Sequence, residues 1–265
     1  MQGTPVSQDV SLDAIGDGVF EIRLNRPERM NALGVATCAA LERTVSDAAS
    51  RRAGVVLFRG TGRAFCAGAD LKERRGMDLA ARLDHNAAIR AVNDAIASAR
   101  FVTVAVLNGI AVGGGLELAL ACDLRLAAAG ITLGLTESRI GAFPGAGGTQ
   151  RLPRVIGVSR ALHMMLSGEP VTSEYALRIG LVNEVVPPDQ LEARAHAFAT
   201  MLAGRSAPAL AAIKRLVYEG IEMPLAEGLR LERAELPAIL GSKDYAEGLA
   251  AFAERRPPRF TEVVQ

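Results

Sequence analysis

Aromatic side chains are scarce in this chain of 265 residues, which has no tryptophan and only 4% aromatic residues. Proteins that bind single-stranded nucleic acid commonly stack its bases on aromatic side chains, so such a surface is not expected here. The 30 Lys and Arg residues nearly balance the 29 Asp and Glu residues, so no strong field attracts a nucleic acid or an anionic membrane. We therefore predict neither partner.

Cysteine and long apolar runs are also scarce. Cys38, Cys66 and Cys122 are too few and too scattered for a disulfide framework or a zinc site, and the 3 histidines form no ligand pattern. We therefore expect buried free thiols and no bound metal. No run of about 18 apolar residues occurs, and residues 1–10 lack the basic-then-apolar pattern of a signal peptide. The sequence predicts no membrane span and a cytoplasmic location.

Apolar residues make up 49% of the chain, and their spacing predicts an α/β fold. Alternation over residues 10–15 and 19–24 predicts a β-hairpin, and helical spacing predicts helices over residues 34–51 and 77–98. In the second helix we expect Leu83, Ala87, Ile89 (or Arg90), Val92 and Ile96 on one apolar side. Short buried strands are predicted over three further segments, residues 54–58, 102–107 and 131–135.

From residue 149 onward the pattern becomes mainly helical, with one last strand over residues 181–186. The chain is therefore expected to divide into a core of residues 1–200 and a helical C-terminal segment of residues 201–265. The helices are predicted over residues 159–167, 173–179, 191–203, 208–220, 225–240 and 244–255.

A run of three glycines, Gly113 to Gly115, separates a predicted buried strand from a buried helix whose first turn carries Glu117. Backbone N–H groups at a helix start have no partner within the helix, and glycine lets another group approach them closely. The loop at residues 67–71 has the same character. Two free N–H groups from separate loops can hold the charge that develops on a carbonyl oxygen, and a nearby carboxylate can act as general base or acid.

Each candidate acid also has a simpler explanation. Glu117 could cap a helix or pair with an arginine, and Glu137 could cap a helix that starts near Gly147. Spacing alone does not show that the two acids meet. The segment at residues 109–115 does not fit the dinucleotide fingerprint, and no P-loop motif occurs. Cys66 has no accompanying histidine in sequence, so it is a weak candidate nucleophile.

Four motifs together resemble the crotonase superfamily, the enoyl-CoA hydratase/isomerase family, over about residues 10–260. They are NRPERMNAL, AFCAGADL, GGGLELA and PGAGGTQRL, at residues 25–33, 64–71, 113–119 and 144–152. The second half is most similar to members of the methylglutaconyl-CoA hydratase type. The resemblance implies a spiral of β-β-α units with an α-helical C-terminal segment that forms a homotrimer or a dimer of trimers. It also implies an acyl-CoA thioester substrate from lipid metabolism and no separate cofactor.

The resemblance implies roles for particular residues. The N–H groups of Ala69 and Gly114 would form the oxyanion hole, and Glu117 and Glu137 would be the two acids that add water to a 2-enoyl-CoA. Residues 77–95 would wall the acyl pocket, and CoA and acyl contacts would come from Met30, Ala32, Ala67, Asp70, Leu71, Pro144 and Gly145.

Several alternatives stay open at this point. The chain could be an enoyl-CoA isomerase or another CoA-thioester lyase, or a non-catalytic acyl-CoA-binding or RNA-binding homologue. The counterpart of the family's lysine-rich RNA-binding helix, residues 41–52, has no lysine and three arginines, so we do not predict RNA binding. Arg255, Arg256 and Arg259 could contact a CoA phosphate or form a solvated basic tail.

Overall fold

The computed structural model describes residues 9–263, so the prediction for the first ten residues lies almost wholly outside the described part. The larger of two sheets has the strand order β1-β2-β3-β5-β7-β10. Its strands are β1 (Val10–Gly16), β2 (Val19–Leu24), β3 (Val55–Gly60), β5 (Val102–Leu107), β7 (Leu124–Ala128) and β10 (Glu184–Val186). The smaller sheet, ordered β4-β6-β8-β9, contains β4 (Ala64–Cys66), β6 (Ile110–Val112), β8 (Thr132–Gly134) and β9 (Val171–Thr172).

The helices fall into two groups along the chain: those of the first part are interspersed with strands, and those of the second part follow one another without strands between them. Those of the first part are α1 (Val35–Ser50), α2 (Leu71–Arg74), α3 (Leu79–Ser98), α4 (Gly114–Ala121), α5 (Gly148–Ile156), α6 (Val158–Ser167) and α7 (Ser173–Arg178). Those of the second part are α8 (Leu191–Ala203), α9 (Ala207–Gly220), α10 (Leu225–Leu240) and α11 (Lys243–Glu254).

The chain passes from one sheet to the other in a repeated β-β-α unit. Strands β3, β5 and β7 lie side by side and parallel in the larger sheet, and each is followed directly by a parallel strand of the smaller sheet. Successive turns of this spiral approach closely, because a Cβ built on Gly109 would lie 2.1 Å from the Arg63 carbonyl oxygen. Only glycine fits such an approach. The predicted spiral of β-β-α units is therefore confirmed.

Both faces of the larger sheet are covered, as expected for parallel strands with apolar residues on both sides. Val56, Phe58 and Leu107 face the main core, which includes residues of α1, α3 and α4. Val55, Leu57 and Val104 face the other way and pack with Leu191, Ala195 and Ala199 of α8. The larger sheet is thereby buried on both faces, and it lies behind the ends of β4 and β6, where the candidate site is found.

Helices α9 to α11 form the predicted C-terminal helical segment, and many of their large apolar side chains are exposed. The division of the chain at residue 200 stays a prediction. The most exposed apolar side chains of α9 to α11 include Ile213, Val217, Leu225, Leu249 and Phe252.

None of the helices formed by residues 9–263 is long and apolar enough to cross a membrane.

Two details of the predicted secondary structure were wrong. Leu83 and Ala87 are exposed on α3, whereas its buried side carries His85 and Asn93 as well as the predicted Ile89, Val92 and Ile96. The polar members of that side bind backbone groups of neighbouring loops, a role that an apolar pattern does not reveal. The prediction also missed β4, β6, β7 and β9, and β10 covers only the second half of the segment at residues 181–186.

Candidate active site

Helix α4 begins at the triple glycine, and all of its residues are buried. Gly113 has φ 54° and ψ −130°, a conformation that glycine adopts readily. A Cβ built on Gly115 would lie 2.1 Å from the carbonyl oxygen of Cys66. The glycines therefore let the N-terminus of α4 pack directly against the end of β4.

The loop after β4 is fixed by the segment before α1. The N–H of Leu33 donates to the carbonyl oxygen of Gly68 at 2.7 Å, and the Leu33 carbonyl oxygen accepts from the N–H of Asp70 at 2.9 Å. The Gly68 carbonyl and the Ala69 N–H belong to one peptide group, so the bond from Leu33 also orients the Ala69 N–H. This N–H points away from Leu33 because a trans peptide sends its two polar groups in opposite directions.

The two N–H groups predicted to act together come from loops that touch each other. A Cβ built on Gly114 would lie 3.4 Å from the Ala69 nitrogen, and one built on Gly68 would lie 3.0 Å from the Gly114 nitrogen. Within residues 9–263, neither the Ala69 N–H nor the Gly114 N–H donates a hydrogen bond. Two adjacent unbonded donors from separate loops have the arrangement of an oxyanion hole.

Glu117 lies on the first turn of α4 with 3% of its surface exposed. Its Oε1 accepts hydrogen bonds from the N–H groups of Ala146 and Gly148, both at 2.8 Å. Burial raises the pKa of Glu117, and these two N–H groups and the charges of Arg151 and Arg74 lower it in part. The simpler explanation of helix capping is therefore confirmed, because the Gly148 N–H is the first of α5 (Gly148–Ile156), whereas none of the ion pairs within residues 9–263 joins Glu117 to an arginine.

Glu137 follows β8 and begins a short 3-10 helix, Glu137–Ile140. Its Oε2 is buried without a hydrogen-bond partner, and its Oε1 lies 3.2 Å from the position of a Cβ built on Gly113. Burial raises the pKa of Glu137 to about 7, and the charge of Glu117 adds to the increase. Glu137 does not cap α5, whose N-cap is Gly147 without any side-chain hydrogen bond. The two acids therefore interact across the start of α4.

The predicted CoA-binding segments at residues 30–32 and 67–71 lie side by side, because the Ala67 N–H donates to the Met30 carbonyl oxygen at 3.0 Å. The Ala32 carbonyl oxygen accepts from Nη1 of Arg26 at 3.2 Å. Leu71 is 53% exposed, whereas Asp70 is 4% exposed.

The Asp70 carboxylate serves its own chain. Its Oδ1 accepts from the N–H groups of Lys72 and Glu73 at the start of α2, and its Oδ2 lies 3.5 Å from Nη2 of Arg26. Any contact between Asp70 and a substrate would therefore come from its backbone. Its side chain fixes the loop that carries Ala69.

Three polar side chains of α3, which the sequence interpretation missed, bind the loops of the site. Nε2 of His85 lies 2.8 Å from the Leu33 carbonyl oxygen, and Nδ2 of Asn93 donates to the Ala146 carbonyl oxygen at 3.0 Å. Nδ2 of Asn86 donates to the Gly145 carbonyl oxygen at 3.1 Å. The only available signal was polar residues on the inner side of an amphipathic helix, and these were not distinguished from surface residues.

The contact of Asn86 has a direct consequence for Glu117. The carbonyl of Gly145 and the N–H of Ala146 belong to one peptide group, and that N–H donates to Glu117. Asn86 therefore fixes the peptide group between Gly145 and Ala146, and this peptide group in turn binds Glu117. Pro144 is buried beside this loop, and a Cβ built on Gly148 would lie 2.8 Å from the Cβ of Pro144.

The C-terminal arginines are not all free to meet a phosphate. The guanidinium of Arg256 pairs with the carboxylates of Glu247 and Glu254, with Nη2 at 3.0 Å from Oε2 of Glu247 and Nε at 2.6 Å from Oε2 of Glu254. The Arg259 N–H also donates to Glu247 at 2.7 Å. Arg256 therefore fits neither a free phosphate ligand nor an unpaired solvated tail.

Cys38, Cys66 and Cys122 are buried free thiols, as predicted. Burial raises the pKa of the Cys66 thiol to about 12, which opposes formation of a nucleophilic thiolate. Among residues 9–263, no group of three or more His, Cys, Asp and Glu side chains is placed to hold a metal ion.

Two adjacent backbone donors, with the buried Glu117 and the half-buried Glu137 beside them, suit a reaction that passes through an oxyanion. The family model for Enoyl-CoA hydratase/isomerase matches residues 14–263. A crystal structure of an enoyl-CoA hydratase from Bacillus anthracis superposes with a TM-score of 0.94 at 39% identity, covering 96% of this chain and 99% of that one.

Two relatives are similar over nearly their whole length. Enoyl-CoA hydratase domain-containing protein 2, mitochondrial, of Mus musculus is 38% identical, over 97% of this chain and 89% of that protein. A probable enoyl-CoA hydratase of Rhizobium meliloti is 37% identical, over 90% of this chain and 93% of that protein. The chain therefore belongs to the enoyl-CoA hydratase/isomerase family and is an enzyme of the hydratase (lyase) type.

Proposed function

We propose that this protein is an enoyl-CoA hydratase, which adds water across the 2,3 double bond of a 2-enoyl-CoA thioester. The observation that carries the proposal is the pair of unbonded N–H groups, Ala69 and Gly114, beside the buried Glu117 and the half-buried Glu137, whose Oε2 is buried without a partner. An isomerase must move one proton along a substrate, whereas a hydratase must also activate and orient a water molecule. Two adjacent acids, of which one is held by backbone N–H groups and the other has an unpartnered oxygen, suit the activation and orientation of water.

In the proposed mechanism the thioester oxygen accepts hydrogen bonds from Ala69 and Gly114, so that electron density leaves the β-carbon. Glu137 takes a proton from a water molecule while the water oxygen bonds to the β-carbon, and Glu117 orients that water. The double-bond electrons move toward the thioester oxygen and form an enolate. Glu137 then returns a proton to the α-carbon, so the product contains all the atoms of the enoyl-CoA and one water.

The environments of the two acids support this division of roles. Oε1 of Glu117 is held by two N–H groups, which favours a fixed carboxylate that positions water. Oε2 of Glu137 has no partner, and the pKa of this acid is raised to about 7, which suits a group that both accepts and returns a proton near neutral pH.

The remaining predictions belong to the same proposal. CoA would lie along residues 30–32 and 67–71, with Pro144 and Gly145 beside the acyl group. The exposed apolar side chains of α9 to α11 support a homotrimer or a dimer of trimers. A cytoplasmic location stays a prediction, and the similar mouse protein is named as mitochondrial.

Purified protein supplied with crotonyl-CoA tests the proposal. We expect loss of the conjugated enoyl absorbance and formation of 3-hydroxybutyryl-CoA. A panel of longer and branched 2-enoyl-CoA esters, with 3-enoyl-CoA esters as the isomerase substrates, should give faster hydration than isomerisation. Isomerisation without hydration would favour the isomerase alternative, and absence of turnover across the whole panel would favour a non-catalytic acyl-CoA-binding protein.

A further inference from the structure

His85 is a buried histidine of α3 that contacts the segment behind one of the two proposed oxyanion donors. It lies on the inner side of the helix with 1% of its surface exposed, and its Nε2 lies 2.8 Å from the carbonyl oxygen of Leu33. A carbonyl oxygen can only accept a hydrogen bond, so Nε2 carries the hydrogen and donates it. The imidazole therefore holds the backbone of the segment before α1.

The second ring nitrogen of His85 makes no such contact. Nδ1 is buried and has no hydrogen-bond partner within residues 9–263. Burying a polar atom without a partner is unfavourable, and a phenylalanine of similar shape would fill the same space without that penalty. What the imidazole adds at this position is thus the hydrogen bond to Leu33.

Leu33 binds both of the peptide groups that flank Ala69. Its N–H donates to the carbonyl oxygen of Gly68 at 2.7 Å, and its carbonyl oxygen accepts from the N–H of Asp70 at 2.9 Å. Leu33 and Ala69 thereby form an isolated parallel β-bridge. Because the Gly68 carbonyl shares a peptide group with the Ala69 N–H, a shift of Leu33 changes the direction of that N–H.

The bridge at Leu33 has little support from regular secondary structure. It is a single bridge outside the two sheets, and Leu33 precedes the first residue of α1. Helix α3, by contrast, has 20 residues, and Ile89, Val92 and Ile96 anchor its inner side in the core. The hydrogen bond from His85 therefore ties an isolated bridge to a long, well-packed helix.

The next residue along α3 supports the other half of the site. Nδ2 of Asn86 donates to the Gly145 carbonyl oxygen, and the peptide group of this carbonyl binds Glu117. Two consecutive side chains of one helix thus reach the donor loop and the acid separately. His85 and Asn86 are therefore a matched pair, with the same helix and different targets.

We propose that His85 is a positioning residue for the oxyanion hole, which directs the Ala69 N–H toward the thioester oxygen by fixing the Leu33 carbonyl. The inference deepens the proposed hydratase function and rests on it for the effect on turnover. Complete loss of one oxyanion donor lowers kcat by about 10² to 10³. His85 only aligns a donor, and Asp70 still binds Leu33 without it, so removal of its N–H should lower kcat about tenfold with little change in KM.

Polarisation of a bound thioester tests the inference directly. Infrared spectroscopy of butyryl-CoA with an isotope label in its thioester carbonyl reports the C=O stretching frequency, and this saturated ester has no double bond to hydrate. Wild-type protein should lower the frequency relative to free butyryl-CoA. His85→Phe keeps the ring shape without the N–H, and should reduce this lowering by about half because one of two donors is affected.

Four further variants sharpen the test. Asn86→Ala should lower kcat without changing the frequency, and Asp84→Asn, at an exposed neighbouring position, should change neither. His85→Gln can place its amide nitrogen near Leu33 and should restore most of the lowering, whereas the shorter amide of His85→Asn should not.

A butyryl-CoA Kd near the wild-type value shows that a variant is folded, and the Gln and Asn variants decide the test if His85→Phe fails this criterion. An unchanged frequency in His85→Phe, an equal change in Asn86→Ala, or equal frequencies for His85→Gln and His85→Asn would overturn the inference.

Turnover separates this inference from the proposed function. Hydration of crotonyl-CoA by the wild-type protein, with no effect of His85→Phe on the carbonyl frequency, would overturn the role of His85 and keep the hydratase proposal. A carbonyl frequency that depends on His85, without hydration of any 2-enoyl-CoA ester, would reject the hydratase proposal and keep the role of His85.

Discussion

Glu117 and Glu137 are two acids in one site with opposite surroundings. Glu117 accepts two backbone hydrogen bonds at 2.8 Å, from a loop that Asn86 and Asn93 hold in place. Glu137 has a buried oxygen with no partner, and its pKa is raised to about 7. The first acid is restrained by the fold, and the second is left able to bind and release a proton.

The difference teaches how one fold can give identical side chains different tasks. Backbone N–H donors stabilise the charged form of a carboxylate and limit its movement, whereas burial without donors favours the protonated form. Neither the preferred protonation state nor the freedom of movement of these carboxylates follows from the residue type, since both residues are glutamates. The loop after β8, which positions Glu137, and the N–H groups of Ala146 and Gly148 at the start of α5, which bind Glu117, create the distinction.

The largest expected effect comes from replacing the unrestrained acid. Glu137→Gln should lower kcat for 2-enoyl-CoA hydration by about 10³, within the range found when a general acid or base is removed. Glu117→Gln should lower it by about 10², because a displaced water costs less than a missing proton acceptor. Absorbance assays measure the kcat of both variants. Glu232→Gln, a substitution at an exposed position on α10, is the control. Near-normal hydration by Glu137→Gln would refute its assigned role.

The pH dependence follows from the same acid. Because the pKa of Glu137 is about 7 and its charged form accepts the proton, kcat/KM for hydration should rise about tenfold from pH 6 to pH 8. Rates measured at low substrate concentration report this ionisation in the free enzyme. A flat profile between these pH values would show that Glu137 does not titrate there.

A smaller effect is expected from the restraint on Glu117. Asn86→Ala removes the hydrogen bond to Gly145 and should lower kcat about fivefold, which corresponds to the loss of about 1 kcal/mol, with little change in KM. Arg90→Ala, on the exposed side of the same helix, is the matched control. If both variants lowered kcat equally, the effect would belong to α3 as a whole rather than to the Asn86 contact.

The smallest expected effect is on stability. The pKa of Glu137 is raised in the folded state to about 7. Its ionisation therefore lowers the free energy of unfolding increasingly as the pH rises from the ordinary pKa of a glutamate toward about 7. Glu137→Gln should therefore raise Tm at pH 8 by about 2–4 °C, the shift for about 1 kcal/mol after allowing for partial solvent screening. The gain should shrink at pH 5. Calorimetry that found a lower Tm for this variant at pH 8 would contradict the assigned cost of the charge.

The sequence predicted the long elements and the residues of the site better than the short strands and the support around the site. Helices α1 and α3 and strands β2 and β5 carry enough apolar residues to show their period. Strands β4 and β6 have three residues each, which is too few for a period, and they pair with each other in the smaller sheet. Their pairing is a property of the spiral and not of the local sequence.

In the candidate site, too, some residues could be predicted from the local sequence and others could be found only in the folded structure. Ala69, Gly114 and Glu117 lie in the quoted motifs and Glu137 lies between two of them. The structure places the loops of Ala69 and Gly114 in contact, with Glu137 beside Gly113. Asn86, Asn93 and His85 were missed because their partners are backbone carbonyls 52 to 59 residues away in sequence.

The contact between Gly115 and Cys66 links the chemistry of a thiol to the integrity of the site. The Cys66 carbonyl packs against the start of α4, and its thiol accepts a hydrogen bond from the Gly68 N–H at 3.4 Å. Because Cys66 is fully buried, an alkylating reagent can reach its sulfur only after the packing around β4 opens. The rate of Cys66 alkylation should therefore report how often the part of the core behind the donor pair opens.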